Sequence, residues 1–104
     1  MELMDITVNC PSAEVADRIA DALIAARLAA CTNRLAEVES RYFWDGRVEA
    51  AREVPLLVHT RADLFDTVAR TVRAHHPDET PSILGVAVAR ANEDYASWLV
   101  AETQ

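Results

Sequence analysis

Five side chains in this chain carry metal-ligating or nucleophilic chemistry: Cys10, Cys31, His59, His75 and His76. Imidazole suits copper and zinc, and thiolate suits copper in its reduced state. His75 and His76 are adjacent, with Asp78 and Glu79 just behind them. Neighbours at a helix end cannot both point the same way within the helix, but one can turn outward as the chain leaves it. The two cysteines have no CxxC spacing, and no HxH pair supports a metal motif. A Cys–His pair forms only where Cys10 approaches His75 or Cys31 approaches His59. No nucleophile motif surrounds a Cys or Ser, so the chain does not read as an enzyme. Structural roles compete with each of these readings. His76 can pack or hydrogen-bond, and His75 can face the negative end of a helix dipole. Cys31 can be a buried, inert thiol, and His59 can lie in a cleft or in solvent. Tyr42, Trp44, Tyr95 and Trp98 fit core or interface positions, and Asp17, Asp21, Glu37 and Glu39 fit a solvated surface.

Composition narrows the chemistry further. The 104 residues fit one domain spanning 1–104. All ten basic residues other than histidine are arginine, and the absence of lysine excludes Schiff-base, pyridoxal-phosphate and P-loop lysines. A net charge of -7 argues against nucleic acid and anionic membranes, which need clustered positive charge, and is compatible with cation binding. Nineteen residues are alanine and only 6% are aromatic, so the core is thin for a solitary domain. The start Met1-Glu2-Leu3-Met4-Asp5 has no secretory pattern, and no apolar run approaches the roughly 20 residues that span a bilayer. A cytoplasmic protein with reduced cysteines is the expectation.

The elements that must position these residues follow from periodicity. Leu3 to Asn9 alternates as a strand, and Pro11 stops it. Ser12 is placed to cap a helix carrying Val15, Ile19, Leu23 and Ala26 on one face, ending near Cys31 to Asn33, with Asn33 suited to the left-handed turn. Arg34 to Trp44 alternates again, Asp45-Gly46 signals a type I′ hairpin, and the return strand runs from Arg47 to about Thr60. Pro55 cannot donate a ladder hydrogen bond, so it belongs at an edge or bulge. Asp63 to His75 is a second helix, with Leu64, Phe65, Val68 and Val72 buried and His76-Pro77 as its stop. Ile83 to Ala89 is a short strand in which Gly85 suggests a bulge or close approach. Asn92 caps a last helix with Tyr95, Trp98 and Leu99 as its apolar face.

This order is an α+β, ferredoxin-like βαββαβ antiparallel sheet with an extra C-terminal helix and a long hairpin between its second and third strands. One helix layer covers one sheet face, and apolar residues on both faces of the hairpin predict a homo-oligomer. Connectivity also sorts the candidates into two ends. Cys10, His75, His76, Asp78 and Glu79 gather where the first strand finishes; Cys31, Asn33 and His59 gather at the opposite end.

The chain resembles the CutA divalent-cation tolerance proteins over nearly its full length. The ordered set is Arg27-Leu28-Ala29-Ala30-Cys31-Thr32-Asn33, Ser40-x-Tyr42-x-Trp44-x-Gly46, Glu53-Val54, Thr60, His76-Pro77, Pro81, Ile83 and Tyr95-x-x-Trp98. The resemblance implies a homotrimer whose long hairpin arms pair across subunit boundaries. It also implies a link to divalent ions, with copper or another divalent metal as the ligand and no organic cofactor. It sets Cys31, Asn33, Ser40, Tyr42, Trp44, His59, Glu79, Tyr95 and Trp98 in the cleft and interface. The His75-His76 pair matches a pair proposed as copper ligands in some members. The cysteine proposed with them aligns at Val8, so Cys10 is a displaced candidate. The chain departs from the family pattern with His59 for a usual lysine, Asp78 for tyrosine, Ser82 for glutamate, Ala36-Glu37 for Pro-Gly and Ala91 for glycine. The competing reading is a trimeric PII-like signalling module binding a small-molecule effector, argued from fold analogy. Against it stand the tight Asp45-Gly46 turn and the missing lysine.

Overall fold

The computed structural model describes residues 1–104. In β1 (Leu3–Cys10), Ile6, Val8 and Cys10 point into the core, while Asp5, Thr7 and Asn9 alternate to the other face. Helix α1 (Ala13–Ala25) begins where the Ser12 hydroxyl accepts the Val15 N–H at 3.2 Å, satisfying one of the open donors of the first turn. Val15, Ala16, Ile19 and Leu23 form its buried stripe; Ala26, expected on that stripe, is exposed.

The end of α1 falls earlier than the sequence suggests. Leu28 N–H reaches back to the Leu23 carbonyl at 2.9 Å and Arg27 N–H to Ile24 at 3.0 Å. This is a Schellman closure. Its left-handed residue is Arg27, at a φ of 57°, rather than Asn33. An arginine there gives no glycine signal to read, and Cys31 consequently opens a strand instead of finishing a helix.

The first hairpin arm is divided into β2 (Cys31–Arg34) and β3 (Val38–Trp44), and both pair antiparallel with the single long strand β4 (Arg47–Arg61). Pro55 explains the division. Its carbonyl accepts the Leu35 N–H at 2.9 Å, and a residue's N–H and C=O point to the same side in an antiparallel ladder. The missing proline N–H therefore faces the interruption between β2 and β3. The ladder to β1, where Pro55 sits opposite Asn9, loses nothing. Asp45 and Gly46 take φ of 53° and 75°, the paired positive values that a type I′ turn requires.

A short 3-10 turn (Ala62–Leu64) leads into α2 (Phe65–His75), followed by β5 (Ile83–Ala87) and α3 (Glu93–Glu102). The sheet order β2-β4-β1-β5, with β3 extending β4, is the ferredoxin-like arrangement. Helices α1 and α2 cover one face; Val68 and Val72 join Ile6, Val8, Ile19, Leu23, Leu56 and Val58 in one core. Helix α3 lies over one end of the opposite face. Gln104 N–H and Nε2 donate to the Arg27 and Ala26 carbonyls at 3.1 and 2.8 Å, and Arg27 Nη2 donates to the Ala101 carbonyl at 3.1 Å. Of its expected apolar face only Leu99 is buried. Asn92 occupies the cap position, but its side chain donates to Asp94 Oδ1 instead of accepting from the helix.

The rest of that outer face is open. Leu84 and Val86 are 65% and 64% exposed, and at the hairpin tip the cross-strand pair Phe43 and Val48 is 77% and 65% exposed. The hairpin stretches the molecule to 45 × 26 × 23 Å.

Gly85 pairs regularly with Ile6, so no bulge is present; its role is close approach. A Cβ there would stand 2.5 Å from Met4 Sδ and 3.0 Å from Phe65 Cδ1. Gly85→Ala is expected to cost about 1–3 kcal/mol by overpacking, read as a lowered melting temperature. An unchanged melting temperature would show that Phe65 does not clamp this strand.

Candidate functional site

The end of the sheet where β1 finishes carries a polar cleft. It lies between the base of the hairpin and the segment joining α2 to β5, with a volume of about 720 Å³. Asn9, Ser40, Tyr42, Trp44 and Glu53 form one wall, and Pro77, Asp78, Glu79, Thr80 and Ser82 the other. Alternation places Ser40, Tyr42 and Trp44 on one face of β3, as their spacing indicates. Charge at this cleft is unbalanced. Arg41 is held by Glu39 at 2.8 Å and Arg52 by Glu37 at 2.9 Å, whereas Glu53, Asp78 and Glu79 have no arginine partner.

His76 anchors the far wall. Asp78 N–H donates to Nδ1 at 3.1 Å, which places the ring proton on Nε2; that N–H donates to the Asn9 carbonyl at 2.8 Å. The ring thus ties the exit of α2 to the end of β1, and its side chain is fully buried. Its neighbour His75 is exposed on the last turn of α2. Cys10 is buried beneath the cleft. Burial first, then the charges of Glu53 and Asp78, push its thiol up to about 11. Connectivity therefore brings Cys10, His75, His76, Asp78 and Glu79 to one end, as expected. It does not point Cys10, His75 and His76 at a common centre, and no three His, Cys, Asp or Glu side chains of the chain converge on a metal position.

The remaining cleft residues fall at the opposite end, under α3. Cys31 sits opposite His59 across β2 and β4, and His59 sits opposite Asp5 across β4 and β1. His59 Nδ1–H donates to Asp5 Oδ1 at 2.6 Å. Tyr95 meets the His59 ring edge-on at 6.2 Å between centroids and packs at 5.4 Å against Trp98, which is 44% exposed. Burial, then the adjacent Cys31 thiol and Asp5, push the Tyr95 phenol up. Asn33 is exposed on β2. Asp5 has no sequence signal as a site residue; only the long-range register of β1 on β4 sets it beside His59. Buried Thr60, next to His59, donates its hydroxyl to the Leu28 carbonyl at 2.6 Å and secures the turn before Cys31.

The chain is thus a ferredoxin-like domain with a projecting hairpin, an uncovered outer face and polar clusters at both sheet ends. The family profile described as CutA1 divalent ion tolerance protein matches residues 4–102, and the chain belongs to that family. Among curated relatives, the divalent-cation tolerance protein CutA of Thermus thermophilus is 39% identical over 90% of this chain and 91% of its own. That of Pyrococcus horikoshii is 36% identical with the same coverage. The solved divalent cation tolerance protein from Thermus thermophilus superposes with a TM-score of 0.95 at 37% identity, covering 98% of this chain and 99% of that one. The mouse CutA protein is longer; the chain spans 52% of it.

The raised Cys10 pKa has a testable sign. The folded thiol stays protonated to about pH 11 against an ordinary 9.0, so its contribution to folding stability is complete below about pH 9 and falls as pH rises toward 11. Denaturation midpoints of the wild type are expected to drop over that window, and Cys10→Ala to drop less. Parallel pH profiles would contradict this environment for Cys10.

Proposed function

We propose that this protein acts as a cytoplasmic, non-enzymatic homotrimer in the response to divalent metal ions, binding copper or another divalent ion at the end of the sheet where His75, Glu79 and the cleft lie. The observation that carries the reading is membership of the CutA1 family across residues 4–102. The geometry supports it in three ways. The net charge is -7, and Glu53, Asp78 and Glu79 leave the cleft with uncompensated negative charge that favours a cation. His75 is free to coordinate as it stands. His76 and Cys10 complete the candidate trio only by exchanging the contacts just described, so donors from a neighbouring copy are the simpler completion.

The number of copies follows from the family resemblance, and association itself rests on surface. Leu84 and Val86 on the outer face and the Phe43–Val48 pair on the hairpin are apolar and uncovered, and such patches mark association. No helix is long and apolar enough to cross a membrane.

Copper(II) titration, followed by calorimetry or by the visible absorption of the bound ion, tests the metal site. The wild type is expected to bind, and His75→Ala to bind at least tenfold more weakly, with the His75→Ala/His76→Ala double variant no stronger. Equal binding by wild type and both variants would remove this site.

A further inference from the structure

We propose that Cys31 and His59 form a second metal site, selective for copper(I), at the end of the sheet opposite the cleft. The site stands independently of the divalent reading above. Its foundation is strand register. Cys31 and His59 are directly paired across β2 and β4, which puts their Cβ atoms about 4.5–5.5 Å apart on one face. A thiol and an imidazole that close can share a single ion.

The imidazole is prepared for that role. Asp5 Oδ1 accepts the Nδ1–H hydrogen bond at 2.6 Å, which leaves the lone pair on Nε2, and Nε2 makes no hydrogen bond within the chain. A carboxylate holding the distal ring nitrogen is the usual outer partner of a metal-bound histidine; it fixes the tautomer and raises the basicity of the ligating nitrogen. The thiol is close to a third polar group, the Tyr95 hydroxyl. A cavity of about 200 Å³ beside α3 is lined by His59, Asp5, Tyr95 and Arg90 and reaches the His59 side of the pair.

The donor set selects the ion. Magnesium and calcium take six or more oxygen ligands, which this face does not offer. Zinc in structural sites takes four protein ligands, and only one sulfur and one nitrogen are paired across the strands here. Soft thiolate with imidazole and low coordination suits copper(I). Binding needs no electron transfer: the Cys31 thiol releases its proton to solvent, and the resulting thiolate and His59 Nε2 donate to the ion.

Anaerobic titration with copper(I) in competition with a chromophoric copper(I) chelator tests the site. The wild type is expected to take one ion per chain. Cys31→Ser and His59→Gln are expected to lose at least tenfold in affinity. Asp5→Asn, which leaves both ligands in place, is expected to lose about 10- to 100-fold. Cys10→Ser and His75→Ala are expected to bind as the wild type does, which separates this site from the divalent one. X-ray absorption at the copper edge of the loaded wild type provides a check that needs no variant, with one sulfur and at least one imidazole nitrogen expected. No copper(I) uptake, uptake unchanged in Cys31→Ser and His59→Gln, or a spectrum without sulfur would overturn the proposal.

Discussion

β4 is one uninterrupted strand of 15 residues that pairs with three partners, β3 along its first half and β2 and β1 along its second. Its first half pairs with β3 and leaves the body of the molecule; its second half lies between β2 and β1 inside it. Everything functional hangs on that continuity. The same strand carries Glu53 at the mouth of the cleft and His59 at the far end, so the two polar ends are fixed relative to each other by one backbone. Val54, Leu56 and Val58 between them are buried under α1 and α2, and that burial holds the strand in register. A slip by one residue would turn His59 into the core and Val58 onto the outer face.

The two ends then differ in kind. At the cleft end the polar groups mostly serve structure: His76 commits both ring nitrogens to backbone partners, and Cys10 is held neutral by burial. What remains for a ligand is an acidic, aromatic-lined hollow and one exposed imidazole. Under α3 the opposite holds. Asp5 and His59 are paired with each other, one ring nitrogen remains uncommitted, and the Cys31 thiol has only a long contact with the Thr32 carbonyl at 3.9 Å and the nearby Tyr95 hydroxyl.

Much of this is legible in the sequence. Alternation places Ile6 and Val8 in the core, Asp45-Gly46 marks the turn, and connectivity divides the candidate ligands between two ends. The failures share one physical cause: they depend on contacts distant in sequence or on a closure without its usual residue. Arg27 in a left-handed position ends α1 without glycine, so Cys31 lies on a strand and not at a helix end. Pro55 warns of an irregularity, but only the Leu35 contact shows that it divides the opposite arm. Asp5 reads as one more exposed carboxylate on an alternating strand, because nothing local tells which residue of β4 will face it. Proximity along the fold assembles the metal trio, yet it says only which end a side chain occupies and not where its donor atom points.

The hairpin and the outer face leave apolar surface that a single copy does not cover, and completion by further copies is the central claim. The mass of the intact protein in dilute solution, measured by light scattering or native mass spectrometry, tests it most directly. Three copies of the 11.5 kDa chain, about 35 kDa, are expected. A stable species at the mass of one chain would contradict it.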